Sequence, residues 1–170
     1  MSHNTPTDNE LALMAVRAAA SLLDRQIRVS VAESCTGGYV AKLLTDVPGS
    51  SRWFDSGFVT YSNESKQRQL GVSAASLAQH GAVSEQVVLE MAVGALVASQ
   101  AQLSVSISGV AGPDGGTALH PVGDVWFART ARLNDDSVSA IAIHRRFPAG
   151  DRESIRRHSA AYALELLLEG

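Results

Sequence analysis

The sequence contains one cysteine, Cys35, in 170 residues, which excludes an intrachain disulfide framework. Its first ten residues are polar, whereas a signal peptide has a basic segment followed by an apolar one. No apolar run approaches the roughly 20 residues that cross a bilayer as a helix, since even Val83 to Val97 is interrupted by Glu85, Gln86 and Glu90. We therefore expect a cytoplasmic protein with no membrane partner.

The sequence also lacks a large excess of charge of either sign. The 14 lysines and arginines nearly balance the 17 acidic residues, and the formal net charge is -3. Because no basic field exists to attract a polyanion, nucleic acid is not an expected partner. With 45% hydrophobic residues, the chain can bury one core but is too short for two ordinary domains. We expect a flexible N-terminus over residues 1–8 and a single domain over residues 9–170.

Several common catalytic and ligand-binding motifs are missing. The five histidines show neither metal-ligand nor triad spacing, and no Gly-x-Ser-x-Gly elbow occurs. The glycine-rich segment 109–116 matches neither a Walker A pattern nor a dinucleotide fingerprint. The sequence therefore predicts no metal site, no cofactor and no Ser-His-Asp triad, and it leaves the ligand of the glycine-rich loop unspecified.

Helical and strand patterns alternate along the first two thirds of the chain. Helical spacing of apolar residues predicts helices over 10–25, 39–44, 64–70, 85–99 and 150–168. Alternating or β-branched segments predict strands over 27–32, 53–61, 103–107, 123–131 and 137–147, the last two joined as a hairpin through Asn134, Asp135 and Asp136. This order predicts a single-domain α/β protein, a three-layer α/β/α sandwich around a mixed β-sheet. Apolar stripes over 85–99 and 160–168 suggest a homodimer.

The junction between the first predicted strand and the second helix contains a serine, a cysteine and two glycines. A helix start at a strand end presents unpaired N–H groups, and Gly37 and Gly38 each cost the helix about 1 kcal/mol relative to alanine. That cost is understandable if another group approaches the backbone closely. Taken alone, however, the segment favours a simple helix cap. Cys35 is either a reserve nucleophile or a small buried hydrophobe.

Lys66 lies in the first turn of the short helix predicted over 64–70. If Asn63 is the helix cap, Lys66 occupies the third helical position, where the positive end of the helix dipole and partial burial both lower the pKa of an amine. A lysine with a lowered pKa can act as a base near neutral pH. By position alone, a solvated surface lysine is the simpler interpretation. Among five arginines near the last helix, only Arg152 has a local context that suggests ligand binding.

Six blocks, taken together and in order, resemble the CinA C-terminal family. They are Ala32-Glu33-Ser34-Cys35-Thr36-Gly37-Gly38, Gly57-Phe58-Val59-Thr60-Tyr61-Ser62-Asn63-Glu64-Ser65-Lys66, His80-Gly81-Ala82-Val83-Ser84-Glu85, Ser108-Gly109-Val110-Ala111-Gly112-Pro113-Asp114-Gly115-Gly116, Pro121-Val122-Gly123 and Gly150-Asp151-Arg152. The family includes free-standing nicotinamide-nucleotide amidohydrolases and longer proteins with an additional N-terminal domain. The length of this chain is similar to that of the free-standing members.

The resemblance implies metal-independent hydrolysis of nicotinamide mononucleotide to nicotinic acid mononucleotide and ammonia, in pyridine-nucleotide (NAD) recycling. It makes Ser34 the nucleophile, Lys66 the base and Tyr61 an assisting hydroxyl, a Ser-Lys form of acyl transfer. Backbone N–H groups from Thr36 to Gly38 become an oxyanion hole or a phosphate cradle. The residues expected at the substrate are Thr36, Gly37, Gly38, Thr60, Asn63, Ser108, Gly109, Gly112 and Arg152.

Two other functions are compatible with the same residues. Members of the family are also associated with competence and DNA-damage responses, so the chain could be a non-catalytic nucleotide-binding or regulatory module. A weaker alternative is an amidase that uses the thiol of Cys35. Substitution of Ser34, Lys66 and Cys35 separates the three hypotheses.

Overall fold

The computed structural model describes residues 4–135, 137–148 and 150–169. Within these ranges it contains six α-helices and five strands. In chain order they are α1 (Asp8–Asp24), β1 (Val29–Glu33), α2 (Tyr39–Thr45), β2 (Phe54–Val59), α3 (Asn63–Leu70), α4 (Ala74–His80), α5 (Glu85–Val97), β3 (Leu103–Gly109), β4 (Asp124–Arg132), β5 (Val138–Arg146) and α6 (Arg152–Leu166). One short 3-10 helix (Ser50–Arg52) lies between α2 and β2.

The five strands form one mixed sheet in the order β2-β1-β3-β4-β5. The strands β2, β1 and β3 run parallel, β4 is antiparallel to β3, and β5 is antiparallel to β4. The predicted mixed sheet and C-terminal hairpin are therefore confirmed. Of the three residues expected at the hairpin turn, Asp136 lies outside the described residues.

Helices cover both faces of the sheet. The helices α1, α2 and α6 pack together on one face, and α3, α4 and α5 pack on the other. All five residues of β1 are buried, as a parallel strand covered on both sides requires. This arrangement confirms the predicted three-layer sandwich. None of the helices within the described residues is long and apolar enough to cross a bilayer.

The two connections that follow β1 cross opposite faces of the sheet. It passes from β1 to β2 through α2, and from β2 to β3 through α3, α4 and α5, so that β3 lies on the other side of β1. In open α/β sheets, such a change of direction opens a crevice at the carboxyl ends of the strands, where ligands bind. The segments after Glu33, Val59 and Gly109 meet at this edge.

The structure corrects three details of the predicted helices. Helix α3 is capped by the Ser62 hydroxyl rather than by Asn63, which places Lys66 at the fourth helical position. Helix α1 begins at Asp8, before the predicted start, because Thr7 and Glu10 form a capping box. Helix α4 was not predicted, because it buries one side chain, Leu77, and therefore shows no apolar periodicity.

The apolar stripe over 160–168 also has a different role from the one expected. Its buried side chains belong to the core of the same chain, so this part of α6 is not available as a dimer surface. On α5, by contrast, Leu89 and Val93 are partly exposed and Val97 is 72% exposed.

Gly94 allows α5 to lie directly against the end of α3, the helix that contains Lys66. A Cβ at Gly94 would overlap the carbonyl oxygen of Leu70 and lie 2.7 Å from its carbonyl carbon. We expect Gly94→Ala to lower the free energy of unfolding by about 2 kcal/mol, because overpacking against backbone outweighs the gain in helix propensity. Urea denaturation would measure the change. The exposed Val97→Ala control should stay within about 0.5 kcal/mol of the wild type.

Candidate active site

Ser34 is the first residue after β1, and its backbone is held in place. The Ser34 N–H donates to the Ile107 carbonyl at 3.0 Å, and the residue is 9% exposed. The preceding Glu33 is fully buried. Its carboxylate accepts hydrogen bonds from the N–H groups of Gly38, Val40 and Ala41 at 3.0, 3.2 and 2.8 Å. A carboxylate at a helix start accepts hydrogen bonds from the unpaired N–H groups and interacts favourably with the positive end of the helix dipole. The Glu33 side chain is therefore the cap of α2.

Most N–H groups expected to hold an oxyanion or a phosphate are therefore occupied. The Gly38 N–H donates to the Glu33 carboxylate, and the Gly37 N–H donates to the Ser34 carbonyl at 3.0 Å. Both glycines have positive φ, +61° and +93°, which explains their presence through the shape of the turn. Within the described residues, the N–H groups of Cys35 and Thr36 donate to no other residue. They are the N–H groups of the two residues that directly follow Ser34 in the chain.

Lys66 reaches Ser34 from α3. Its Nζ donates to Ser34 Oγ at 3.0 Å and to the Thr60 carbonyl at 2.8 Å, and the residue is 1% exposed. Burial lowers the pKa of Lys66 to about 8, because removal from water disfavours the charged form. No carboxylate within the described residues lies at ion-pair distance from this amine. The arrangement can supply a neutral amine next to an alcohol at mildly alkaline pH.

Cys35 is adjacent to Ser34 but is poorly suited to nucleophilic chemistry. The residue is 5% exposed, and burial together with the negative charge of Glu33 raises the pKa of its thiol to about 12. The thiolate is the reactive form of cysteine, and it is scarce at neutral pH under these conditions. The side chain belongs instead to the hydrophobic core.

The crevice at the carboxyl ends of the parallel strands contains a cavity of about 300 Å³. Seven residues predicted at the site line it: Ser34, Tyr61, Lys66, Ser108, Gly109, Gly112 and Arg152. Five others do not: Thr36, Gly37, Gly38, Thr60 and Asn63. Of these, Thr60 acts through its carbonyl on Lys66, and Asn63 is an exposed residue in the first turn of α3. The cavity walls also include Asp114 and Gly115.

Arg152 connects three parts of the cavity wall. One guanidinium nitrogen donates to the Tyr61 hydroxyl at 2.6 Å, and the other donates to the Gly112 carbonyl at 2.7 Å. Tyr61 is 58% exposed, and it forms no hydrogen bond with Ser34 or Lys66 in this structure. Arg152 therefore holds the phenol and the glycine-rich loop together at the rim, with its positive charge facing the cavity.

The start of the glycine-rich loop is held in place by its neighbours. The Ser108 hydroxyl donates to the Ala82 carbonyl at 2.7 Å, and a Cβ at Gly109 would lie 2.7 Å from the carbonyl oxygen of Asp124, so glycine is required there. The buried Asp124 carboxylate contacts His120 at 2.9 Å and His144 at 2.7 Å. Within the described residues, no group of three or more His, Cys, Asp or Glu side chains is arranged to hold a metal ion.

The fold and the crevice thus define an α/β protein with a buried serine-lysine pair at the switch point of its sheet. Residues 12–170 match the CinA C-terminal domain model, and the chain belongs to the CinA C-terminal domain family.

Two named relatives and one solved structure align with nearly the whole chain. It is 53% identical over 161 residues to the nicotinamide-nucleotide amidohydrolase PncC of Escherichia coli strain K12, covering 95% of this chain and 94% of that protein. It is 47% identical to the protein of the same name from Pseudomonas putida, covering 92% and 94%. The crystal structure of the competence/damage inducible protein CihA from Agrobacterium tumefaciens superposes with a TM-score of 0.88 at 41% identity, covering 99% and 98%.

Proposed function

We propose that this chain hydrolyses the carboxamide of nicotinamide mononucleotide to nicotinic acid mononucleotide and ammonia, with Ser34 as nucleophile and Lys66 as base. The observation that carries the proposal is the 3.0 Å contact between Lys66 Nζ and Ser34 Oγ, in a place where burial lowers the pKa of the amine to about 8. The names of the relatives support the substrate. A role in NAD recycling follows from that reaction.

The first half of the proposed reaction forms an acyl-enzyme. Neutral Lys66 takes the proton of Ser34, and the alkoxide oxygen attacks the carboxamide carbon. The carbonyl π electrons move onto oxygen, and we assign the N–H groups of Cys35 and Thr36, which donate to no other described residue, as the donors to this oxygen. Protonated Lys66 then gives its proton to the leaving nitrogen, the C–N bond breaks, and ammonia departs with the bonding electrons.

The second half regenerates the serine. Neutral Lys66 removes a proton from water, the resulting hydroxide attacks the ester carbon, and the C–O bond to Ser34 breaks as the serine regains a proton. The net reaction consumes one water and one amide, and yields one carboxylic acid and one ammonia. The Thr60 carbonyl holds Lys66 in place in both halves.

The rim of the cavity suits the remainder of the nucleotide. Arg152 supplies a cation to the phosphate, and the backbone of the glycine-rich loop from Gly109 to Gly115 supplies hydrogen-bonding groups for the ribose. The exposed Tyr61 hydroxyl already accepts a hydrogen bond from Arg152, so its own proton is available to the bound substrate. We assign Tyr61 this assisting role.

Ammonia release from nicotinamide mononucleotide tests the proposal. Purified protein should release ammonia and form nicotinic acid mononucleotide in equal amounts, without added metal and in the presence of a chelator. Calorimetric binding of the nucleotide without release would contradict the proposal and favour the non-catalytic module.

The pH dependence of the reaction should follow the ionisation of Lys66. Because burial lowers its pKa to about 8, the neutral base is abundant above that pH and becomes scarce below it. We expect kcat/KM to rise about tenfold per pH unit between pH 6 and 7 and to level off above about 8. Initial rates at constant ionic strength would measure this. Equal values of kcat/KM at pH 6.5 and pH 9 would contradict the assigned base.

Removal of the cysteine thiol should leave the reaction intact. We expect Cys35→Ala to retain kcat within about threefold of the wild type, since its thiol has a pKa raised to about 12 and supplies only its backbone N–H. The variant will be less stable because it leaves a small cavity in the core. Loss of activity in a folded Cys35→Ala protein would support the cysteine-dependent alternative.

Three further expectations remain predictions: a cytoplasmic location, the absence of a nucleic-acid partner and a homodimer. On α5, Leu89 and Val93 are partly exposed and Val97 is exposed, which leaves an apolar surface for a second copy. Light scattering of the purified protein would establish its stoichiometry.

A further inference from the structure

We propose that Arg156, on α6, is a positioning residue for the turn over residues 34–38, here called the Ser34 turn. It fixes the backbone of this turn and thereby the direction of the Cys35 N–H. The inference rests on the proposed amidase function and extends it to a residue outside the catalytic cavity. Arg156 does not line that cavity, so the proposed action is indirect.

The guanidinium of Arg156 contacts the turn directly. Its NH2 nitrogen donates to the Thr36 carbonyl at 2.9 Å, and a Cβ at Gly37 would lie only 3.8 Å from the same nitrogen. The guanidinium carbon also lies 5.6 Å from the centre of the Tyr39 ring, in a cation-π contact. Glu153, one turn earlier on α6, accepts from the NH1 nitrogen at 3.4 Å. The side chain is therefore held on several sides while it binds the turn.

The contact is transmitted to Ser34 through rigid peptide planes. The Thr36 carbonyl and the Gly37 N–H belong to one planar peptide unit. Arg156 holds the oxygen of this unit, while its N–H donates to the Ser34 carbonyl at 3.0 Å. That carbonyl belongs in turn to the peptide unit that contains the Cys35 N–H. Fixing the first plane therefore restricts the second, and with it one of the two open donors beside the nucleophile.

The turn needs such a restraint because of its glycines. Gly37 and Gly38 both have positive φ, and glycine offers little resistance to reorientation of the adjoining peptide units. Glu33 fixes the N–H groups of Gly38, Val40 and Ala41, but it does not bind the peptide unit between Thr36 and Gly37. The oxygen of that unit accepts a hydrogen bond from the Tyr39 N–H at 3.2 Å, and Arg156 adds a shorter, charged hydrogen bond at 2.9 Å from outside the turn.

A direct role in substrate binding predicts a different kinetic result. Arg156 lies in a separate surface depression whose other lining residues are Asp8, Tyr39, Lys42, Glu153 and Arg157. If it bound the substrate phosphate there, its removal would raise KM and leave kcat unchanged. A residue that orients an oxyanion donor acts mainly in the transition state, so its removal lowers kcat with little change in KM.

Steady-state kinetics of three variants test the proposal. Arg156→Gln should lower kcat about 10- to 100-fold with KM within about threefold, since removal of one oxyanion donor outright costs about 100- to 1,000-fold. Arg156→Lys keeps one donor and should recover part of the loss. Arg157→Gln is the matched control, because this neighbouring arginine binds Asp8 and the Tyr39 hydroxyl instead of the turn; it should keep kcat within about twofold.

A second readout avoids the nucleotide altogether. Acetylation of Ser34 by p-nitrophenyl acetate, followed by mass spectrometry with Ser34→Ala as the blank, reports on the nucleophile and the oxyanion donors alone. We expect Arg156→Gln to slow this acetylation by the same factor as kcat. If Arg156→Gln unfolds, Arg156→Lys with a wild-type melting temperature provides the same comparison.

The possible failures can be told apart. If the wild type releases no ammonia but Ser34 is acetylated more slowly in the folded Arg156 variants, the proposed substrate is wrong and the positioning role stands. Wild-type kcat and acetylation rate in Arg156→Gln, or a change confined to KM, would overturn the positioning role and leave the proposed function in place.

Discussion

Replacing Ser34 by alanine is expected to lower kcat for nicotinamide mononucleotide by about 10⁴-fold or more, because acyl-enzyme formation needs its oxygen and no second nucleophile is available to replace it. Cys35 is adjacent, but its thiol has a pKa raised to about 12. The Tyr61 hydroxyl is engaged by Arg152 at the rim. Residual turnover should therefore reflect only binding and the open N–H donors.

The fold should survive this substitution. Ser34 Oγ accepts from Lys66, but the backbone of the residue is held separately by the Ile107 carbonyl. We expect Ser34→Ala to bind the nucleotide with an affinity close to that of the wild type in calorimetry, while ammonia production falls to background. Cys35→Ala, one residue away, serves as the matched control. Ammonia production at the wild-type rate by Ser34→Ala would show that another group attacks the amide.

The overall architecture was predictable because its signals are local and strong. The strand-turn-helix around Ser34 and the C-terminal hairpin follow from hydrophobic periodicity and turn residues, and both are present in the structure. Helix α4 was not predicted because a seven-residue helix with one buried side chain has no periodicity to detect. Its start is capped by the Ser73 hydroxyl, which accepts from the Ser76 N–H at 2.9 Å, and is tied to α5 by the Glu90 carboxylate, which accepts from the Ser73 N–H at 2.8 Å.

The site was less predictable because its contacts join residues that are distant in sequence. Motif resemblance selected Ser34 and Lys66, but only the fold shows a 3.0 Å contact across 32 residues. The role of Glu33 was missed although it lies within the quoted motif. A buried acidic residue at the end of a β-strand is an unusual feature, and it could have suggested a cap for the following helix. The contact of Arg156 with Thr36 spans 120 residues and leaves no local signal.

The lowered pKa of Lys66 was expected from two causes, and the structure shows which of them is the larger. From the sequence, the dipole of α3, with Lys66 at its third position, and partial burial both lower the pKa. In the structure the residue is fourth, and burial is the main cause of the lowered pKa. Its depth in turn depends on the packing of α3 against α5, where Gly94 permits close approach. Burial depends on tertiary structure, so spacing in the sequence could not show it.

Replacing Lys66 by methionine is expected to have two opposite effects, a loss of activity and a gain in stability. Methionine has a similar length and no base, so kcat should fall by about 10³-fold or more, the effect of removing both general base and general acid. Lys42→Met is the matched control. Lys42 and Lys66 are the only two lysines in the sequence, and Lys42 is an exposed residue paired with Asp46 on α2. It should retain full activity.

The gain in stability follows from proton linkage. The pKa of Lys66 is about 8 in the folded protein and about 10.4 in an unfolded chain, so the unfolded chain binds more protons between these values. The wild type therefore gains stability as pH rises from about 8 to 10.4 and is destabilised by the buried charge at lower pH. Lys66→Met removes that cost, although it leaves the Thr60 carbonyl without its donor.

We expect Lys66→Met to unfold about 2–4 °C above the wild type at pH 7, with the difference shrinking as pH approaches 10. Calorimetric melting curves at both pH values would measure it, and Lys42→Met should follow the wild type at each. The opposite result would be an inactive Lys66→Met protein that melts below the wild type at pH 7, with a smaller deficit at pH 10. It would mean that the amine is protonated and favourably solvated in the native state. In that case Lys66 could not be the base, because a stable ammonium next to Ser34 cannot take its proton.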